Sequence, residues 1–336
     1  MRKLIFGLLL LFLVSCSSQE NAKINGVSFV ASPEEIYESN IVPVKELGAN
    51  WAAVMPFGFI KNLQTPNVVF NLEQQWWGER LEGVEKTIKL LQSEGISVML
   101  KPQIWVWRGE FTGDIKMNAE EDWKLLEKSY TNFILLYAKV AQKYQVPLFC
   151  IGTELHTFVQ AKPDFWKELI KKVKKVYRGK LTYAENWDQY EKVPFWDQLD
   201  FIGIDAYFPL SEKKTPTLID LNQKWIPHKE NMKNLSSKFK KPILFTEYGY
   251  RSVNYGTLEP WKTDRSKGNI NHILQKNALS SLYSTFWNEP WFAGGFLWKW
   301  FHNHEKAGGL EDNRFTVQNK PAQKIVQSQY LYETPK

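Results

Sequence analysis

At 336 residues with 43% hydrophobic content, the chain is long enough to bury one large core, and a single α/β barrel fits that length as well as two domains do. No Gly/Ser-rich or Pro-rich tract, low-complexity segment or fixed-period repeat interrupts it, which excludes a flexible central linker and a solenoid. The formal charge of +7 lies largely on lysine-rich helical faces such as KELIKKVKKVYRGK, where solvated lysines flank their own apolar stripe, and this sets nucleic acid aside as a partner.

The first segment, MRKLIFGLLLLFLVSC, has a basic start (Arg2, Lys3), an apolar run over 4–14 that is too short to span a bilayer, and small residues before Cys16. It resembles a bacterial lipoprotein signal with LVSC as the lipobox. Residues 1–15 are then a signal peptide, Cys16 the lipidated first residue, and 16–23 a polar tether, giving an exported lipoprotein anchored to a membrane. With Cys16 carrying lipid, Cys150 is left without a disulfide partner, and its place in an apolar run reads as a small buried hydrophobe.

From there, β-rich apolar runs alternate with amphipathic stretches, the pattern of a parallel sheet covered by helices. Strands are predicted over 24–31, 51–55, 97–101, 148–152, 181–184, 201–205, 243–246 and 295–298. LEGVEKTIKLLQSEG places Leu81, Val84, Ile88 and Leu91 on one helical face and stops at Gly95. The longest helix is EEDWKLLEKSYTNFILLYAKVAQKYQ, and PDFWKELIKKVKKVY, TLIDLNQKWIPHKENMKNLSSKF, NINHILQKNALSSLYSTFW and KPAQKIVQSQYLY supply others. The link WDQYEKVPFWDQL offers at best a stub. Eight strand–helix units imply a (β/α)8 TIM barrel over 24–331, a single catalytic domain with its active site at the C-terminal ends of the strands. An open doubly wound sheet is the alternative, but no GxGxxG or GKS/T loop follows any strand.

Strand three leads into Lys101, Gln103, Trp105 and Trp107, strand four into Thr153, Glu154 and His156, and strand five into Glu185, Asn186, Trp187 and Asp188. Strand six ends in Asp205 and Tyr207, strand seven in Glu247 and strand eight in Trp298. Aromatics, amides and carboxylates on one rim suit a carbohydrate, whose rings stack on tryptophan and whose hydroxyls hydrogen-bond polar groups. Of the fifteen tryptophans, Trp123, Trp166 and Trp225 fall within helical patterns and read as core instead. A carboxylate at the end of a buried strand is costly to desolvate, so Glu154 and Glu247 each need a partner or a task. One reading is an ion pair to a neighbouring strand end, for instance with Lys101 or Arg251. The other is a catalytic pair about 5 to 5.5 Å apart, the spacing of retaining glycosidases.

The ordered motifs KPQIW, GTELH, YAENWD, DFIGIDAYFPL, FTEYGY and GGFLWKW, which run from Lys101 to Trp300 within a match extending over about 26–329, resemble glycoside hydrolase family 113, the β-mannanases of the retaining (β/α)8 clan. The resemblance implies Glu154 as general acid/base, Glu247 as nucleophile and Tyr207 as a hydrogen-bond donor to the nucleophile. It implies a sugar site lined by Asn186 and Trp187 and floored by Trp298, with Lys101 and Gln103 on sugar hydroxyls; Trp105, Thr153, His156 and Asp205 complete the candidate rim. Most of the clan has asparagine where Thr153 stands, and a threonine hydroxyl reaches less far toward a sugar.

The expected activity is retaining hydrolysis of β-1,4-mannosidic bonds in mannan or manno-oligosaccharides by a monomer without a cofactor. Turnover of another β-linked glycan, transglycosylation, and a surface glycan-binding lipoprotein without turnover are the alternatives. The His302-Asn303-His304-Glu305 stretch has a His-x-His spacing, but two histidines in a loop read as surface or substrate groups and no metal is expected.

Overall fold

The computed structural model describes residues 22–263 and 269–332. The signal peptide and Cys16 expected at the N-terminus lie outside those residues. β1 (Ile24–Phe29) leads into α1 (Glu38–Glu46), and β2 (Trp51–Val54) is followed by β3 (Phe57–Ile60), β4 (Val69–Phe70) and α2 (Leu81–Ser93). β5 (Ser97–Leu100) continues through β6 (Gln103–Val106) to α3 (Glu120–Lys143), and β7 (Leu148–Thr153) to α4 (His156–Ala161) and α5 (Pro163–Val176). Then come β8 (Lys180–Asn186), β9 (Ile202–Asp205), α6 (Leu218–Phe239), β10 (Ile243–Tyr248), α7 (His272–Phe286), β11 (Phe292–Trp300) and α8 (Pro321–Tyr332).

Eight strands close a parallel barrel in the order β1-β11-β10-β9-β8-β7-β5-β2, the (β/α)8 topology. Each corresponds to one of the predicted runs. The link after β8 is the anticipated stub, two 3-10 turns at Tyr190–Lys192 and Trp196–Gln198.

Three features depart from the sequence reading, one of them the six-residue α4, which was not among the predicted helices. α1 was not foreseen, because Pro43 interrupts its pattern, yet Ile41 and Val44 bury one face against the barrel. The segments after β2 and β5, read as rim loops, pair instead into a side sheet of order β4-β3-β6.

Ala53, Met99, Cys150, Ala184, Leu244 and Phe296 fill the barrel interior, and Gly26 lacks a side chain where the Phe296 ring passes. A larger apolar shell joins strands to helices and contains Trp166 and Trp225, both fully buried, with Trp123 nearly so. Cys150 belongs to the interior, and burial pushes its thiol up to about 11, so it is an inert packing group. Above this apolar layer, at the C-terminal end, the interior turns polar: Lys101, Asp205 and Thr246 are completely enclosed there.

Candidate active site

In a regular strand consecutive side chains alternate between faces, so Thr246 and Glu247 should not both look into the barrel. The register of β10 against β9 shifts between Phe245 and Glu247, and both do. Thr246 Oγ1 donates to Asp205 Oδ1 at 2.7 Å, while Glu247 Oε1 meets Lys101 Nζ at 2.5 Å. A comparable shift in β7, between Cys150 and Thr153, precedes Glu154.

Glu247 is gripped on both oxygens. Oε1 accepts from Lys101 Nζ and from Gln103 Nε2 at 3.0 Å, and Oε2 accepts from the Tyr207 hydroxyl at 2.8 Å. The Lys101 ammonium also lies 3.3 and 3.4 Å from the two oxygens of Asp205. Burial pulls the Lys101 ammonium toward deprotonation, but Asp205 and Glu247 together outweigh it and hold the lysine charged. Burial and the neighbouring Glu247 push the Asp205 carboxyl up to about 7.

Glu154 sits in the opposite environment. Its carboxyl is raised well above the usual carboxylate range, first by burial and then by the charges of Asp205 and Glu247. Among the described residues no side chain donates a hydrogen bond to the Glu154 carboxyl group. Its backbone has φ +49°, a left-handed conformation that costs a non-glycine residue strain. Three hydrogen bonds hold that conformation: Glu154 N to Ala184 O at 2.8 Å, Leu155 N to the Tyr183 hydroxyl at 2.8 Å, and Thr112 Oγ1 to Glu154 O at 3.2 Å.

The structure brings Lys101, Gln103, Asp205, Tyr207 and Glu247 into one hydrogen-bonded cluster, with Glu154 close enough to feel its charges. The positions of Lys101 and Asp205 differ from the sugar-contacting ones expected. Both are fully buried beneath the mouth and their charges are directed at each other and at Glu247, because the lysine stem runs up inside the barrel from the end of β5. The ion pair of Glu247 with Lys101, the alternative raised for a strand-end carboxylate, is therefore present, and it leaves Oε2 to Tyr207.

The remaining candidates line the rim. Thr153 Oγ1 is buried without a hydrogen-bond partner. His156 opens α4 with its Nδ1 likewise unpartnered, and burial together with Lys192 keeps its ring below the ordinary histidine range. Asn186 is half-buried, and Trp187 stacks on Trp261 at 5.4 Å between centroids and 19° between planes. Trp298 is half-buried against the barrel interior, and its peptide bond to Lys299 is cis. Trp105 does not end a barrel strand but projects from the side sheet, 45% exposed.

Two contributors were missed. Trp261 comes from the loop after β10, outside every predicted strand and helix; residues 264–268 of that loop lie outside the described residues. Glu185 is fully buried, accepts from Asn186 N at 2.9 Å and from the Tyr183 hydroxyl at 3.2 Å, and is pushed up to about 7 by burial. It was visible as a carboxylate at the end of an apolar run, the same signal that marked Glu154.

Among the described residues, no three His, Cys, Asp or Glu side chains gather as a metal site. His304 instead stacks on Trp300 at 5.3 Å and faces Gln318 Nε2 through Nδ1 at 3.3 Å.

The model of glycoside hydrolase family 113 matches residues 34–320, a span that holds the barrel from α1 through β11 and every residue of this cluster. The chain belongs to glycoside hydrolase family 113. It is thus a glycoside hydrolase, and its substrate is a glycan. Its fold resembles that of the GH113 β-mannanase of Alicyclobacillus acidocaldarius solved with ManMIm, at 24% identity and a TM-score of 0.80 over 93% of this chain and 98% of that one. A GH113 β-1,4-mannanase solved as a complex is similar at 23% identity and TM-score 0.79, covering 92% and 99%. The β-glucuronidase of Faecalibacterium prausnitzii is more distant, at 13% identity and TM-score 0.61, covering 93% of this chain and 49% of that one. Comparison with curated proteins returns no match.

Proposed function

We propose that this family 113 member is a retaining β-1,4-mannanase in which Glu247 is the nucleophile and Glu154 the general acid/base. The observation that carries the assignment is the contrast between the two carboxyls. Glu247 accepts from three donors, one of them an ammonium, which suits an acceptor-only carboxylate. Glu154 is held toward its protonated form by burial and by the neighbouring negative charges, which suits a proton donor.

In the first step Glu247 Oε attacks the anomeric carbon as Glu154 gives its proton to the departing glycosidic oxygen, so one C–O bond forms and one breaks. Glu154, now ionised, takes a proton from water as that water displaces Glu247 from the same carbon, and the sugar leaves with its configuration retained. Tyr207 donates to the attacking carboxylate and orients it. Asn186 and the Trp187 and Trp298 rings hold the sugar, all three being half-buried at the mouth. Mannose as the sugar rests on the family, whose solved members include β-1,4-mannanases.

Proton NMR of the anomeric region during hydrolysis of β-1,4-mannohexaose tests both halves. Early β-anomer from the wild-type chain and none from Glu247→Ala is the expected result. Early α-anomer sinks the retaining mechanism, and no product from mannohexaose sinks the mannan assignment. We further propose that the chain acts as a monomer tethered to a membrane through lipid on Cys16. Incorporation of labelled palmitate into wild type but not Cys16→Ser checks the tether, and equal labelling of both refutes it.

A further inference from the structure

The side sheet has two unlike faces. Gly58, Ile60, Ile104 and Val106 are buried, and Phe70 packs on Phe133 of α3 at 5.2 Å, so this face is anchored to the barrel's outer layer. Side chains of alternate parity face the other way. On β6 that face begins with Gln103, whose amide reaches Glu247 inside the mouth, and continues two residues on with Trp105. The register sets Phe57 opposite Gln103, Phe59 opposite Trp105, and Val69 opposite Phe59. Phe57 meets the Trp105 ring edge-on at 6.3 Å and the Phe59 ring at 6.4 Å.

This face is apolar, and it stays open: Trp105 is 45% and Val69 46% exposed, with Phe57 and Phe59 half-buried. Its continuity with Gln103 places it beside the nucleophile's cluster. Trp105 lies about 6.5 Å further along the strand than Gln103, a displacement comparable to one pyranose ring. An aromatic surface beside a glycosidase centre suits the apolar face of a sugar ring.

We propose that the open face of the side sheet, centred on Trp105, is a subsite wall that binds sugar units of a β-1,4-linked chain beyond the two that flank the cleaved bond. The proposal rests on the assignment of Glu247 and Glu154 above and adds the preference for long chains. Binding there supplies energy remote from the reacting carbon, so its loss shows on oligomers before single sugars.

The test compares kcat/KM on β-1,4-mannohexaose with kcat/KM on an aryl β-mannoside carrying one sugar. Trp105→Ala should lower the hexaose-to-monosaccharide ratio about 10- to 100-fold, as loss of one stacked ring would, and Trp105→Tyr should restore most of it. Equal losses on both substrates, or none, overturn the wall. If the wild type cleaves cellohexaose and not mannohexaose, the mannose assignment fails while the same ratio on the glucose series still decides the wall. Calorimetry reads it without turnover: in a Glu247→Gln background, Trp105→Ala should weaken binding of whichever hexaose that protein binds by at least tenfold, and unchanged affinity refutes the proposal.

Discussion

Replacing Lys101 with methionine keeps the stem and removes the one ammonium that bridges Glu247 at 2.5 Å and Asp205 at 3.3 Å. All three groups are almost fully enclosed, so the variant leaves two carboxyls facing each other in a medium that cannot hold two negative charges. Breaking a buried pair from one side costs about 3 to 5 kcal/mol, and the protein can relieve part of that by keeping a proton on the carboxyl pair. A proton held by the native state and lost by the unfolded one makes stability fall with rising pH, at about 1.4 kcal/mol per pH unit.

The window opens near the ordinary aspartate range and extends through about 7, where Asp205 already stands with Lys101 in place. Lys101→Met should therefore lose most of its stability at pH 8 and distinctly less at pH 5. Urea unfolding at both pH values measures this directly. Activity should follow, since a proton on the pair blocks attack by Glu247, and the kcat/KM profile should fall on its acidic side at a higher pH than in wild type. An equal stability loss at pH 5 and pH 8 would refute the account, because a packing defect has no reason to titrate.

Glu154→Gln should slow substrates with poor leaving groups by about 10² to 10⁴ and activated aryl glycosides far less, and an equal loss on both would remove the acid role. Tyr207→Phe deletes one of three donors to Glu247, a hydrogen bond to a charged group worth about 1.5 to 3 kcal/mol; kcat should fall about 10- to 100-fold, and unchanged kcat would exclude Tyr207 from orienting the nucleophile. Glu185 binds its proton more tightly folded, near 7, than the ordinary 4.5, so its ionisation opposes folding increasingly as pH rises from about 4.5 through 7. Glu185→Gln should thus be more stable than wild type at pH 8, by on the order of 3 kcal/mol less its lost hydrogen bonding, and so melt higher there, and lose that advantage at pH 4. A melting difference that does not change with pH would refute this.

The barrel was readable in one dimension because a parallel strand covered on both faces must be apolar almost throughout, and eight such runs separated by amphipathic stretches leave few other closures. The catalytic candidates were readable for a related reason: Glu154 and Glu247 stand where an apolar run stops, and a charge there stands out against its neighbours. Periodicity said nothing of the side sheet, whose four-residue and two-residue strands are too short to alternate visibly; its central pairing joins β3, which leaves the mouth after β2, to β6, which leaves it after β5, and α2 lies between them in the chain. Nor could it separate Lys101 and Asp205 from the rim. Both stand at strand ends as the sugar-facing candidates do, and only the closed barrel shows that their side chains turn inward and meet under Glu247. Local composition determined which residues sit at strand ends. Whether a strand-end group faces the cleft or the interior depends on bulges, strand tilt and what stands opposite, and those are set by long-range contacts.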